Sequence, residues 1–278
     1  AGIIIDVKKQ EILAYVGNAP NAGSAHGGAV DIIASVRSTG SVLKPILYAL
    51  ALDDGSILPH SFLLDVPSNM GSYRPENFYE NYDGVVPADK AIIRSLNVPL
   101  IHLLSDFGLK KFHYYLQKIG FHSIDKSADW YGLPLIVGGG ESNLWEVTGT
   151  YANMARTAVH YHEYSGTYDV QEFKELTFLK KSKSIEKSLQ EQPPFLSATA
   201  IYQTFETIKH LERPNSEGEW ERFSSSREVA WKTGTSYGFR DAWAIGVTPE
   251  YAVGIWVGNA DGEGRAGLVG VEAAAPIL

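Results

Sequence analysis

At its two ends the chain gathers apolar residues into short β-branched runs, and in its middle it spaces them at helical intervals. The opening "AGIIIDVKKQEILAYVG" holds two such runs around the polar "DVKKQE", which predicts a hairpin. Small residues and glycine follow as far as Gly40. "SVLKPILYALALDDG" then predicts a helix that stops at Gly55. "VPADKAIIR" predicts a short helix, broken near Val98-Pro99. "PLIHLLSDFG" and "LKKFHYYLQKIGF" predict two more, each ending at a glycine. "ESNLWEVTGTYANMA" and "PPFLSATAIYQTFETIKHL" complete the helical set, the second with its proline pair just ahead of the start. Residues 163–193 are polar and lysine-rich around "KKSKSIEKS" and read as an exposed loop or small insertion. From Glu228 strand patterns return in "EVAWKTGTS", "DAWAIGVTP" and "YAVGIWVGN", and "GVEAAAPIL" reads as the start of a helix. Strands at both ends with helices between them predict an α/β fold of the α+β type. One sheet would be assembled from distant segments, with a helical subdomain inserted.

Composition narrows the function classes. A length of 278 residues allows one large domain or two small ones. The formal net charge of −8 argues against a nucleic-acid binder. With no cysteine, disulfides, thiolate nucleophiles and zinc-thiolate sites are excluded. No apolar run reaches the ~18 residues that span a bilayer. The chain opens on a strand pattern without a charged-then-apolar leader, so it is expected to be a piece of a longer protein.

Three short elements could carry chemistry. Lys44 stands alone among apolar residues from Val42 to Leu52, three positions after Ser41. On a helix that spacing puts both side chains on one face. Apolar surroundings disfavour the ammonium, and a neutral amine within reach of a serine hydroxyl can act as its base. The plain alternative is a snorkelling lysine after a capping serine. Ser123-Lys126 and Ser184-Lys187 repeat the spacing in polar contexts, so the spacing alone is cheap. "RSLNVP" places Ser95 and Asn97 at a helix junction, where a hydroxyl can pass a proton and an amide can hold a carbonyl, or where both simply cap. "WKTGTS" sets Lys232, Thr233, Gly234 and Thr235 on a predicted strand. This is a receptor for a carboxylate with an edge for a peptide, or else a glycine bulge with surface threonines. Two further patterns carry less. Gly262, Gly264 and Gly267 match a dinucleotide fingerprint, but Asp261 and Glu263 would repel a pyrophosphate and no βαβ unit fits in the residues that follow. His160 and His162 fall in a predicted loop and read as surface histidines rather than metal ligands.

Taken in order, the three elements resemble the S-x-x-K, S-D-N and K-T-G signature of penicillin-binding proteins and class A β-lactamases. "GSVLKP", "NYDGVVPADKAIIRSLNVP", "GGGESNLWEVTGTYANMA", "WKTGTSYGFRDAWAIGVTP" and "VGIWVGNADGEGRAGLVGVEAAAPIL" resemble the transpeptidase domain of class A penicillin-binding proteins, most of all its 1C branch. Ser-Leu-Asn stands where the signature has Ser-Asp-Asn. The resemblance covers nearly the whole chain, with 163–193 its least recognisable part.

It implies one transpeptidase domain over 1–278 with the penicillin-binding protein/serine β-lactamase fold. Residues 1–40 and 228–278 would hold the sheet, and 41–227 would be mainly helical. It also implies that Ser41 is the nucleophile, Lys44 its base and Ser95 the proton relay. Asn97 would hold the donor peptide. Lys232, Thr233, Gly234 and Thr235 would bind the terminal carboxylate, with the Ser41 and Thr235 N–H groups as the oxyanion hole. The implied partners are peptidoglycan stem peptides ending in D-Ala-D-Ala, an acceptor amine and β-lactams, with no cofactor and no metal. The parent chain would carry an upstream glycosyltransferase domain and a membrane anchor, and would act in the periplasm or outside the membrane. A D,D-carboxypeptidase or serine β-lactamase stays open, with Glu141 of "ESNL" as the acid to test. So does a non-catalytic sensor or scaffold that binds β-lactam or muropeptide.

Overall fold

The two ends of the chain meet in one antiparallel sheet. A computed structural model describes residues 1–19, 27–178, 188–211 and 228–278. Strands β1 (Gly2–Asp6) and β2 (Glu11–Val16) form the predicted hairpin, and β9 (Ala230–Thr235), β10 (Asp241–Val247) and β11 (Tyr251–Gly258) come from the other end. Their order is β2-β1-β11-β10-β9, so β9 lies at an edge. Alternation along β10 serves two faces. Ala242 and Ala244 pack with Ile255 and Ala274, under the helical turns Gly270–Ala274 and Ala275–Ile277. Trp243, Ile245 and Val247 join the main core on the helical side.

The predicted helices are present as α1 (Lys44–Asp53), α2 (Ala88–Ile93), α3 (Asn97–Phe107), α4 (Leu109–Lys118), α6 (Leu144–Glu163) and α7 (Ala198–Lys209), and the four-residue α5 (Ala128–Tyr131) is an addition that the sequence pattern did not predict. Short pairs complete the fold: β3 (Arg37–Ser38) with β6 (Glu141–Ser142), β4 (Phe62–Asp65) with β5 (Gly84–Pro87), and β7 (Tyr168–Asp169) with β8 (Leu189–Gln190). The long α6 is capped by Asn143, whose side chain accepts from Glu146 N, and it packs against the sheet. Among the described residues no helix is long and apolar enough to cross a membrane.

Four local expectations need correction. Helix α1 begins at Lys44, not at Ser41, which puts Pro45 in the first turn, where a missing N–H costs nothing. The α2–α3 break falls at Ser95-Leu96, and Pro99 sits inside the first turn of α3 for the same reason. His160 and His162 lie on α6, not in a loop, and His160 is buried against Glu172. Nor is 163–193 simply exposed. Tyr168, Asp169, Glu172 and Leu176 are buried, because β7 and the segment after it pack on α6; residues 179–187 lie outside the described residues.

Candidate active site

Ser41 sits between a two-residue strand and a helix, in a turn held from several sides. Ser38 Oγ donates to Gly138 O at 2.8 Å, and Thr39 donates to Gly140 O from both its N–H and its hydroxyl, each at 3.1 Å. Gly40 then takes φ +52°, and a Cβ there would stand 2.7 Å from both N and O of Thr235. Glycine alone meets both demands. Val42 N donates back to Thr39 O, and the buried Tyr151 hydroxyl donates to Val42 O at 2.8 Å. The turn delivers Ser41 just ahead of the N-terminus of α1, where unpaired N–H groups favour developing negative charge.

Lys44 does not snorkel. It has no solvent exposure, and its Nζ donates to Ser95 O and Asn97 Oδ1 at 2.7 Å each, with Ser95 Oγ at 3.5 Å. Burial holds its ammonium well below the ordinary lysine range, and repulsion from Lys232 lowers it further.

Ser95 ends α2. Leu96 N donates to Ala91 O at 2.9 Å and Ser95 N to Ile92 O at 3.1 Å, the two bonds of a Schellman motif. The motif needs a left-handed residue at its turn, a place usually held by glycine. Here it is Ser95, at φ +54°. The strained backbone aims a hydroxyl at Lys44 that glycine could not supply.

The K-T-G element forms β9. Lys232 is fully buried; burial lowers it to about 7, and its Nζ donates to Thr233 O at 2.7 Å. Gly234 packs on the Ser41 turn so closely that a Cβ would lie 2.8 Å from Thr39 O and 3.2 Å from Ser41 N. Ser236 N donates across the hairpin to Asp241 O, so by alternation the Thr235 N–H faces away from β10. The Thr235 hydroxyl accepts from Gly270 N at 3.0 Å.

Ser41, Ser95, Asn97, Thr233, Gly234 and Thr235 line one cleft of about 580 Å³. Lys44 and Lys232 lie buried behind this lining. The sequence reading missed the aromatic rim: Phe78 and Phe239 stand 6.4 Å apart across it, and Tyr79 and Tyr237 are 82% and 99% exposed. The signal lies in "ENFYENY" and "TSYGF", where aromatic residues stand among polar ones with no apolar periodicity to bury them.

The decoys fall elsewhere. Ser123 N and Oγ are spent on Glu146 and Asn143, and Lys126 is exposed beside Asp125. Ser184 and Lys187 lie outside the described residues. Gly264 backs onto Gly238 O, 2.2 Å from where its Cβ would be, so "GEGRAG" packs on the β9–β10 turn. Glu141 is exposed, pairs with Ser38 through its backbone and does not line the cleft. The acid with a structural role is Glu146, which accepts from Ser123 N and from Ser142 Oγ. A second cavity of about 550 Å³, between Trp145, Asn153 and Phe173, contains none of the motif residues.

Along residues 1–278 the chain matches the family described as penicillin binding protein transpeptidase domain. It is 34% identical to penicillin-binding protein 1C of Escherichia coli over all of this chain and 33% of that one. It is 26% identical to penicillin-binding protein 1A of Clostridium acetobutylicum over 93% of this chain and 32% of that one. It therefore spans about a third of the length of these relatives. Among solved structures, that of the PonA1 protein from Mycobacterium tuberculosis in complex with penicillin V superposes with a TM-score of 0.76. That match has 20% identity and covers all of this chain and 75% of the other. Penicillin-binding protein 1A from Haemophilus influenzae superposes at 0.74, with 20% identity over 98% of this chain and 45% of that one. With the family matched from end to end and the fold shared, the chain belongs to the penicillin-binding protein transpeptidase domain family.

Proposed function

We propose that the chain is one catalytic unit, a peptidoglycan D,D-transpeptidase that works through an acyl-enzyme on Ser41. One observation carries this reading: a fully buried Lys44 bonded to Ser95 and Asn97, behind the cleft that Ser41 lines. A lysine desolvated in this way is a base at working pH, which a serine nucleophile requires.

Ser41 Oγ attacks the carbonyl of the penultimate D-alanine and gives its proton to Lys44. The developing oxyanion is met by the N–H groups of Ser41 and Thr235. Their closeness is supported by the contacts that force glycine at 40 and 234. Ser95, between Lys44 and the cleft, passes the proton to the leaving amine of the terminal D-alanine. Asn97 spends one amide hydrogen on Glu76 O at 2.9 Å and keeps the other for the donor peptide. Lys232, Thr233, Gly234 and Thr235 receive the terminal carboxylate, which holds Lys232 in its charged form. An acceptor amine then attacks the ester, the cross-link forms, and Ser41 regains its proton. β-Lactams acylate the same serine. The parent chain would supply the glycosyltransferase half and the anchor that hold this unit at the outer face of the cytoplasmic membrane. The exposed Glu141, outside the cleft, offers no water-activating acid, which favours transfer over hydrolysis.

The test is covalent. A fluorescent penicillin should label the protein, and peptide mass spectrometry should place the adduct on Ser41. Ser41→Ala should abolish it, and the label should persist for hours. Rapid release of the label would instead identify a β-lactamase. A persistent label without release of D-alanine from a stem pentapeptide in the presence of an acceptor amine would identify a sensor.

A further inference from the structure

We propose that Asn77, locked to the buried carboxylate of Asp65, is a positioning residue that sets Asn97, and through it Lys44, for acyl transfer. The inference rests on the reading of Ser41 and Lys44 given above.

The start of α3 has a capping problem. Its N-cap residue is Leu96, which has no side-chain acceptor. Of the first three helical positions, Pro99 lacks an N–H, and Asn97 and Val98 are left with theirs unpaired by the helix. Both donate to one atom, Asn77 Oδ1, at 2.9 and 3.1 Å. The cap is thus borrowed from a distant loop. That loop holds Asn97 a second time, since Asn97 Nδ2 donates to Glu76 O. The remaining Asn97 atom, Oδ1, accepts from Lys44 Nζ at 2.7 Å. Residues 76–77 therefore grip Asn97 by its backbone and by its side chain, and Asn97 in turn grips Lys44.

Asn77 is fixed just as fully. It is 4% exposed, and its amide donates to Asp65 Oδ1 at 2.7 Å and to Asn81 O at 2.8 Å. Flipping the amide would set donors against donors and an oxygen against a carboxylate, so one orientation alone is satisfied. Asp65, at the end of β4, has no exposure, and its second oxygen accepts from Asp83 N at 3.0 Å. The Asp83 side chain is bonded by Arg94, the residue before Ser95. The two oxygens of Asp65 thus lead to the two flanks of Ser95: one through Asn77 to Asn97, the other through Asp83 to Arg94. None of these bonds engages Ser41.

The experiment measures acylation of the intact protein by a chromogenic cephalosporin, resolving the rate constant of the bound complex from the binding constant across pH. Asn77→Ala is expected to lower the rate constant at least about 10-fold with little change in binding. Its rising pH limb should move to lower pH, because Lys44 loses a well-placed acceptor for its charged form. A merely structural role would scale the amplitude with the folded fraction and leave the limb in place. The exchange pair Asp65→Asn with Asn77→Asp keeps the cap and reverses the bond between the two side chains, losing only the donor to Asn81 O. It is expected to recover part of the rate that each single substitution loses. A folded Asn77→Ala protein with native rate and native pH limb overturns the proposal. Should Asn77→Ala not fold, a folded exchange pair that stays as slow as its singles overturns it equally. If Ser41→Ala still becomes labelled, the reading of the nucleophile fails instead, and the two failures are told apart.

Discussion

Lys44 and Lys232 bury two amines behind one cleft, and their titrations shape the pH dependence. Lys44 is held well below its ordinary range by burial and by Lys232, and Lys232 is lowered to about 7 by burial alone. The two must be in opposite states to serve their proposed roles: Lys44 free to take a proton, Lys232 charged to meet a carboxylate. The apparent second-order rate of acylation reports the free enzyme. It should therefore rise as Lys44 loses its proton and fall as Lys232 loses its own, with the falling limb near pH 7. Lys232→Ala should remove the falling limb and move the rising limb to higher pH, because the repulsion that lowers Lys44 is gone. Stopped-flow acylation from pH 5 to 10 checks both; a rising limb that does not move in Lys232→Ala would show that the amines do not sense each other.

At the scale of elements, the α2–α3 joint places Ser95, the proposed proton relay, where the backbone would prefer glycine. A left-handed L-residue costs about 1–2 kcal/mol, and glycine returns about 0.5–1 kcal/mol of that as unfolded-state entropy. Ser95→Gly should thus raise stability by about 0.5–1 kcal/mol in urea unfolding. Acylation should fall by about 100-fold or more, the usual weight of a positioned proton carrier. Improved stability with lost activity is the signature of strain kept for function. A destabilised Ser95→Gly protein would mean that the hydroxyl, not the backbone, holds the joint together.

Across the whole molecule, one buried charge cluster ties the segment after β7 to the long helix under the sheet. Glu172 has no exposure; it faces His160 Nδ1 at 3.0 Å and Arg156 Nε at 3.8 Å, and it accepts from Asp169 N at 3.2 Å. Arg156 Nη1 also donates to Gln171 O at 3.0 Å. Removing one member of a buried ionic pair leaves the others uncompensated, at a cost of about 3–5 kcal/mol. Glu172→Ala should lose that much in equilibrium unfolding, while Glu172→Leu with Arg156→Met should recover part of it. A loss under about 1 kcal/mol would show that the segment is held by Phe173 and Leu176 instead. None of these residues lines the cleft, so the folded fraction should still be labelled by penicillin.

Local physics made the elements legible. β-Branched and aromatic runs specified the five strands of the main sheet, and apolar spacing specified every helix but the four-residue α5, because these signals act within a few residues of where they are written. The three motifs were legible as chemistry because each carries its reactive atoms within a short window. Tertiary structure alone decided what depends on approach between distant segments. It put Lys44 rather than Lys126 in the dry interior, since burial is set by α7, α3 and α2 packing on α1. It moved the start of α1 past Ser41, because Thr235 and Gly140 hold the preceding turn. His160 became a core residue because its partner, Glu172, stands in a stretch that reads as polar and exposed. Asn77, a loop asparagine by its neighbours in sequence, became the cap of α3, because a helix opening on Leu96 and Pro99 must take its acceptor from wherever the fold brings one.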